Sequence, residues 1–184
     1  PSCLGGIGVT GTYASNIIGK DADVVIAIGS RLSDFTTSSK HLFQKEDVQF
    51  VTINNCRFHA YKMDAVKAVG DAKATVEALA EKLRARGYQS AYTDEIQKAK
   101  AAWDQEMQRL AGIEYTGEDF EPIIKARDPR TIPEFVKLTN GKITQTAALA
   151  AINRTIDKDA TIITAGGSLP SSMQRMWATD KRGG

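Results

Sequence analysis

The chain has 184 residues, of which 42% are hydrophobic and 25% are charged, the balance expected of a globular protein. Its net charge of +2 is too small to indicate nucleic acid or an anionic membrane as a partner, and its longest apolar run, residues 24–28, is too short to span a bilayer. Cys3, Cys56, His41 and His59 have unrelated spacings, so no zinc site is predicted. Without a recognisable secretory signal, we expect a cytoplasmic protein with reduced cysteines.

The first element is a glycine-rich loop, residues 5–11, whose four glycines allow sharp turns or the close approach of another group. A short helical stretch at residues 12–20 leads into residues 22–29, an apolar run typical of a strand buried on both faces of a parallel sheet. Ligands of such sheets bind at the carboxyl ends of the strands, which places candidate residues between Gly29 and Asp34.

The following residues alternate between loop, strand and helix. A Ser- and Thr-rich loop is predicted at residues 34–39 and a short helix at residues 40–43. Two strands follow, at residues 48–53 and 66–69. An amphipathic helix is then predicted at residues 71–86, with Gly87 at its end. This order predicts an α/β fold, a three-layer domain with a parallel sheet between helices. Two or three strands cannot bury both faces of such a sheet, so further strands are expected upstream of Pro1.

The second half predicts two more helices and one more strand. Residues 93–110 have the stripe of an amphipathic helix, and residues 144–157 restart that pattern. Between them, residues 112–142 contain three of the five prolines and no periodicity, which is typical of a linker or a functional loop. Residues 160–165 predict a buried strand that opens a second α/β domain.

These elements predict three segments in a piece of a longer polypeptide. Residues 1–87 are the C-terminal half of a central α/β domain, residues 88–142 are a helix and a linker, and residues 143–184 begin a second domain. The chain lacks a start methionine, begins almost on a glycine loop and stops soon after a helical pattern begins, which is why we expect a longer parent.

Several candidate binding residues admit two interpretations. The loop at residues 5–11 lacks the preceding strand of a dinucleotide fingerprint, although Asp23 lies at a suitable distance. Close packing, or the approach of a phosphate-bearing ligand, is favoured for this loop. Arg31 either binds a phosphate or carboxylate or pairs with Asp34. Asn54 and its neighbour Asn55 either hydrogen-bond a sugar or form a turn.

Other polar residues have simpler interpretations. Asp71 is predicted to cap the helix that follows it rather than to open a diphosphate–metal motif. His41 and His59 have no partner at the spacing of a catalytic triad or a metal site, and are predicted to be surface or packing residues. The residues 166–168 are a glycine loop before a helical pattern, where backbone amides can bind an anion.

Taken together, these segments resemble thiamine diphosphate enzymes of the acetohydroxyacid synthase type. The resemblance to the later half of their central domain is carried by residues 8–14, 22–34, 50–54 and 71–83. Three further stretches are most similar to the branch of the family that acts in inositol catabolism: residues 34–40, 141–146 and 165–170.

The resemblance implies a parent enzyme with three α/β domains, thiamine diphosphate and Mg²⁺, and active sites between the subunits of a homodimer or homotetramer. The glutamate that activates the aminopyrimidine and the motif that holds Mg²⁺ would lie outside this chain, so no catalytic or metal-binding residue is assigned within it. The loop matching Gly167, Ser168 and Leu169 contacts the diphosphate in relatives. Those relatives carry glutamine and histidine where this chain has Ser168 and Leu169.

In acetohydroxyacid synthases the central domain also holds a flavin, so the resemblance implies a nucleotide-like site at Gly8, Gly11 and Arg31. The implied activity is hydrolytic cleavage of a carbon–carbon bond in an inositol-derived cyclic 1,2-dione, giving a deoxy sugar acid. The expected partner is this small-molecule substrate, with no nucleic acid or membrane, and the chain alone is expected to be inactive. Two alternatives stay open: a flavin-containing carboligase of the acetohydroxyacid synthase type, and a non-catalytic module that binds an adenine nucleotide.

Overall fold

The computed structural model describes residues 2–113, 128–139, 143–157 and 159–177. The contacts between residues divide the chain into two compact units, Pro1–Trp103 and Asp104–Gly184. This division falls at Trp103, inside a helix. The domain boundary predicted at residue 87 falls in a turn and the one predicted at residue 142 lies outside the described residues, so both stay a prediction. In the described part of the chain, no helix has the length and apolar character needed to cross a membrane.

The first unit is built on a parallel sheet of three strands in the order β1-β2-β3. The strands are β1 (Val24–Ile28), β2 (Gln49–Asn54) and β3 (Val66–Val69). In register, Val25 lies opposite Phe50 and Val51 lies opposite Val66. Helices connect the strands, so the α/β fold and all three predicted strands of this unit are confirmed.

Five helices begin in the first unit: α1 (Tyr13–Lys20), α2 (Asp34–Thr37), α3 (Arg57–Ala60), α4 (Ala72–Ala85) and α5 (Asp94–Ala111). A 3-10 turn at Lys62–Asp64 follows α3. The cap predicted for Asp71 is confirmed, because its carboxylate accepts a hydrogen bond of 2.9 Å from the backbone N–H of Ala74. At the other end of α4, the N–H groups of Gly87 and Tyr88 donate to the carbonyls of Arg84 and Leu83, which closes the helix as predicted.

The structure corrects the prediction for residues 34–43. The predicted loop contains the short helix α2, and the predicted helix at residues 40–43 is a series of turns. Ser38, Ser39 and Lys40 all have left-handed backbone conformations, with φ of 49°, 53° and 67°. Because L-residues in this conformation cannot continue a right-handed helix, α2 ends at Thr37 and no helix forms after it.

The main hydrophobic cluster of the first unit packs around β1 and β2. Ala27, Leu32, Phe50 and Ala65 form this cluster, and the ring of Phe43 packs edge-on against that of Phe50 with centroids 5.5 Å apart. On β1 the alternate side chains are about half exposed although all are apolar: Val24, Ile26 and Ile28. This exposure agrees with the expectation that three strands cannot bury both faces. The further strands expected upstream stay a prediction.

In its described residues, the second unit contains the end of α5 and three further helices, α6 (Thr131–Thr139), α7 (Gln145–Thr155) and α8 (Ser168–Met176). Thr144 caps α7 through its hydroxyl, which accepts a hydrogen bond of 3.1 Å from the N–H of Ala147. The Thr146 hydroxyl donates to the carbonyl of Leu110 at 2.9 Å and so ties α7 to α5 within this unit.

Two predictions for the second unit need correction. Helix α6 lies within residues 112–142, where the sequence predicted no regular structure; residues 114–127 and 140–142 of that stretch lie outside the described residues. The strand predicted at residues 160–165 is wrong, since these residues form no strand and Ile163 is 91% exposed. A strand needs a neighbour to pair its backbone groups, and no described strand of this unit provides one.

Candidate functional site

The carboxyl ends of β1 and β2 are joined by the side chain of Asn54, the last residue of β2. Its amide nitrogen Nδ2 donates to the carbonyl of Ser30 at 3.1 Å, and its Oδ1 accepts from the N–H of Cys56 at 2.9 Å. The N–H of Gly70, which follows β3, donates to the carbonyl of Asn54 at 3.2 Å. Asn54 therefore holds the three strand ends together from a buried position.

These bonds decide between the two interpretations of Asn54. Both polar atoms of its side chain are used within the protein, so Asn54 shapes the loops rather than offering its amide to a sugar. Asn55 beside it is exposed. An asparagine at the end of a strand is the signal by which sequence reasoning could find such a bridge, but its partner Ser30 lies 24 residues away.

The residues after β1 lie beside Asn54 and border open space. We call Gly29, Ser30 and Arg31 the strand-end site. Apart from its chain neighbours, no atom lies within 4 Å of the position that a Cβ on Gly29 would occupy. Arg31 is exposed, and none of the ion pairs between described residues contains Arg31 or Asp34. The pairing of Arg31 with Asp34 is therefore not formed, and the guanidinium is available to an anion.

The glycine loop at residues 5–11 is filled by the protein's own backbone. A Cβ on Gly8, whose φ is +98°, would lie 1.9 Å from the carbonyl oxygen of Phe35. The N–H of Val9 donates to that same oxygen at 2.8 Å. A Cβ on Gly11 would lie 2.6 Å from the carbonyl oxygen of Gly6. Of the two interpretations of this loop, the structure favours close packing.

Asn16, which sequence reasoning missed, fixes this loop. Its Oδ1 accepts a hydrogen bond from the N–H of Gly8 and its Nδ2 donates to the carbonyl of Gly8, both at 2.9 Å. Gly8 and Gly11 lie together, since the N–H of Gly11 donates to the carbonyl of Gly8 at 3.0 Å. Among the described contacts, Arg31 has no hydrogen bond or ion pair with either glycine. The nucleotide-like site of these three residues stays a prediction.

The loop before α8 has the opposite character. Gly167 is the N-cap of α8, with φ of +132° and no side-chain hydrogen bond to the helix. Apart from the chain neighbours, no atom lies within 4 Å of a Cβ built on Gly166 or Gly167. The N–H groups of Ser168 and Leu169 belong to the first turn, which leaves them without an intrahelical acceptor. The loop therefore fits an anion such as a diphosphate through backbone donors.

The side chains of this loop add little to that fit. Ser168 and Leu169 are exposed, and an aliphatic leucine side chain offers no hydrogen bond. The nearest described polar link to α7 is made by the hydroxyl of Ser172, which donates to Oε1 of Gln145 at 3.1 Å. The donors that this loop offers to an anion are therefore its backbone N–H groups and the hydroxyl of Ser168.

Neither histidine joins a candidate site. Nδ1 of His41 lies 3.3 Å from the carbonyl of Ser39 in an exposed turn, and the half-buried ring of His59 packs edge-on against Phe58 with centroids 5.4 Å apart. Among the described residues, no three His, Cys, Asp or Glu side chains form a group that could hold a metal ion.

Comparison with known proteins gives a match to a family model over the first part of the chain. Residues 1–79 match the family model described as "Thiamine pyrophosphate enzyme, central domain". Over 182 residues the chain is 56% identical to a protein of Clostridium perfringens named 3D-(3,5/4)-trihydroxycyclohexane-1,2-dione hydrolase, a match that covers 99% of this chain and 28% of the relative.

Two more relatives carry the same name. A protein of Clostridium botulinum is 57% identical over 180 residues, covering 98% of this chain and 28% of the relative. One of Bacillus cereus, numbered 1, is 49% identical over 181 residues, with the same coverage. The chain thus spans 28% of the length of these relatives. Residues 1–79 are thus similar to the central domain of thiamine pyrophosphate enzymes.

Proposed function

We propose that the protein containing this chain is a thiamine diphosphate-dependent hydrolase that cleaves a ring carbon–carbon bond of 3D-(3,5/4)-trihydroxycyclohexane-1,2-dione. The product is a deoxy sugar acid, and the reaction belongs to inositol catabolism. One observation supports this proposal above all others: the chain is 56% identical, over 182 of its 184 residues, to a protein named for this reaction.

Within this chain, we propose that the loop of Gly167, Ser168 and Leu169 binds the diphosphate of the cofactor. The support is the open space around Gly167 and the unsatisfied N–H groups at the start of α8. When bound, the cofactor supplies a carbon nucleophile for attack on a ketone. The chain's own contribution is to hold the diphosphate with N–H donors, whose hydrogen bonds to an anion are stronger than those between neutral groups.

The proposal has a direct test in the full-length protein. Purified protein with thiamine diphosphate and Mg²⁺ is incubated separately with the dione and with pyruvate, and products are identified by mass spectrometry. We expect a ring-opened acid from the dione, no acetohydroxy acid from pyruvate, and no turnover without the cofactor. Formation of an acetohydroxy acid as the main product would favour the carboligase instead. The 184-residue chain alone should be inactive, since the activating glutamate and the metal site are proposed to lie outside it.

A second function, adenine-nucleotide binding, is supported by the strand-end site. Gly29 borders open space and Arg31 has no described ion pair, so a phosphate has room and a cation to bind. Calorimetric titration of ADP into the full-length protein tests this function, with Arg31→Gln as the variant and Lys73→Gln as the control. Flavin absorbance of the full-length protein tests whether the nucleotide is a flavin.

We also propose that the full-length protein is a homodimer or homotetramer. Its elution volume in size-exclusion chromatography tests this oligomeric state.

A further inference from the structure

A patch of aromatic rings and cations occupies the segment from α3 to β3 in the first unit. It consists of Arg57, Phe58, Tyr61, Lys62 and Lys67, and we call it the basic–aromatic patch. Phe58 is 75% exposed and Tyr61 is 55% exposed, although they stand only three residues apart. Single exposed apolar side chains are common on proteins, whereas two exposed aromatic rings within one short segment offer a larger apolar area that binding can remove from water.

The cations of the patch lie over the faces of its rings. Nζ of Lys67 is 4.7 Å from the centroid of the Tyr61 ring, and Cζ of Arg57 is 5.9 Å from the same centroid. Nζ of Lys62 is 6.0 Å from the centroid of Phe58. These distances fit cation–π attraction, which holds the long side chains near the rings and limits their freedom.

No carboxylate neutralises these cations within the described residues. None of the described ion pairs includes Arg57, Lys62 or Lys67, and Asp64 is the single acid between residues 57 and 67. The pKa of Tyr61 is lowered, first by its hydrogen bond with Arg57 and further by the charges of Arg57 and Lys67. A lowered phenol pKa is the expected response to a positive potential at the ring.

The backbone beneath the patch is firmly held. The hydroxyl of Thr52 on β2 donates to the carbonyl of Ala60 at 2.6 Å, and Ala60 and Ala65 are both buried. Thr52 also lies opposite Lys67 in the parallel register of β2 and β3. Since the elements that present the patch are anchored to the sheet, a partner would not have to order them.

We propose that the basic–aromatic patch is a docking surface for an acidic segment of a partner protein. In this complex the carboxylates of the partner bind Arg57, Lys62 and Lys67, and its apolar side chains cover the two rings. Tyr, Phe and Arg are the residue types enriched at the centres of protein interfaces, and opposite charges steer and orient the partners. A long polyanion is a poorer match, because the chain's net charge is only +2.

The test uses the full-length protein that contains this chain and a fluorescein-labelled peptide that alternates Glu and Phe, with fluorescence anisotropy as the measurement. A peptide with Gln in place of Glu is the matched probe. We expect saturable binding of the Glu peptide that weakens about tenfold in the triple variant Arg57→Gln, Lys62→Gln, Lys67→Gln, since each lost charged contact contributes a modest amount. The double variant Phe58→Ser, Tyr61→Ser should weaken binding by a similar factor.

The control variant Lys73→Gln removes an exposed lysine of α4 outside the patch and should bind the Glu peptide as the unchanged chain does. Circular dichroism checks that all variants fold, which we expect because the substituted side chains lie at the surface. Equal binding of the Glu and Gln peptides, equal binding by the triple variant, or no saturable binding would overturn the proposal. Tighter binding of labelled oligothymidylate, or self-association that the triple variant abolishes, would also overturn it, by indicating nucleic acid or a second copy as the occupant.

Discussion

The chain has two glycine-rich loops, and the structure gives them opposite roles. In the loop at residues 5–11, a Cβ on Gly8 would collide with the backbone of Phe35, and one on Gly11 would collide with Gly6. At Gly166 and Gly167 the corresponding space is empty. Glycine composition alone therefore does not identify a ligand site, because the same residue serves close packing in one loop and leaves room for a ligand in the other.

The two loops also differ in how their backbone groups are satisfied. In the first loop, the Asn16 side chain binds both the N–H and the carbonyl of Gly8, and Thr12 donates to the carbonyl of Leu4 at 2.6 Å. In the second loop, Gly167 provides no side-chain cap, and the N–H groups of the first turn of α8 point into the space before the helix. Substitutions should therefore damage stability in the first loop and ligand binding in the second.

The largest effect is expected for Gly8→Ala. The added methyl would meet the carbonyl oxygen of Phe35 at 1.9 Å, in a backbone conformation that alanine rarely adopts. Overpacking and backbone strain together should lower the free energy of unfolding by about 3 kcal/mol or more. Thermal unfolding followed by circular dichroism should show a Tm lower by about 10 °C.

Gly29→Ala is the control for this substitution, since Gly29 also has a positive φ, of 64°, but has open space around it. It should cost only the conformational strain, about 1 kcal/mol. If Gly8→Ala and Gly29→Ala lowered Tm equally, backbone contact at Gly8 would not be the reason for its glycine.

A smaller loss of stability is expected for Asn16→Ala. The substitution leaves the N–H of Gly8 without its partner, and this unsatisfied group carries a desolvation cost. The carbonyl of Gly8 loses one of its two donors and keeps the N–H of Gly11. The free energy of unfolding, measured by urea titration, should fall by about 1–3 kcal/mol. Asn55→Ala, at an exposed position, should change it by less than about 0.5 kcal/mol. Equal losses in the two variants would show that the bridge to Gly8 contributes nothing.

In the second loop, Gly167→Ala should act on cofactor binding rather than on the fold. With φ of +132°, Gly167 has a backbone conformation that is almost restricted to glycine, so alanine would reorient the N–H groups of Ser168 and Leu169. Calorimetric titration of thiamine diphosphate into the full-length protein should show a Kd raised about tenfold, the equivalent of 1.4 kcal/mol.

The matched variant is Gly166→Ala, whose Cβ meets no neighbour and whose φ lies outside the left-handed range. We expect its Kd to stay close to that of the unchanged protein. An unaltered Kd in Gly167→Ala would contradict the assignment of this loop to the diphosphate, whereas equal increases in both variants would indicate that bulk rather than backbone conformation matters.

The sequence could predict those structural elements that are determined by residues close together in the chain. The strand at residues 24–28, the cap at Asp71 and the helix end at Gly87 follow from patterns within a few residues, and all three are confirmed. The prediction at residues 160–165 failed because apolar and β-branched side chains do not make a strand without a pairing neighbour. Whether a pairing strand is present depends on the tertiary fold.

The candidate sites show the same limit. The open loop at Gly166 and Gly167 was predictable, since a glycine pair before a helical pattern is a local signal. The filling of the first loop was not, because the group that contacts Gly8 belongs to Phe35, 27 positions along the chain. Likewise, the bond from Asn54 to Ser30 joins two strand ends that only the fold brings together.

The smallest predicted effect is a difference in pKa between two tyrosines of the first unit. Burial, followed by the charges of Asp21, Glu95 and Asp23, raises the pKa of Tyr92, whereas Arg57 lowers that of Tyr61. An absorbance titration at alkaline pH, with Tyr61→Phe and Tyr92→Phe as reference variants, should therefore show that Tyr61 ionises at lower pH than Tyr92.

The two shifts have opposite consequences for stability. The raised pKa of Tyr92 means that the folded state favours the neutral phenol, so its contribution is present below the ordinary tyrosine pKa and is lost as pH rises through the folded value. The lowered pKa of Tyr61 gives a contribution that is present above the ordinary value and is lost as pH falls through the folded one. Identical titration of the two phenols would show that neither the acids near Tyr92 nor the cations near Tyr61 act on their rings. That result would remove the electrostatic support for the basic–aromatic patch as a docking surface. The remaining support from the cations would be their distances to the aromatic rings.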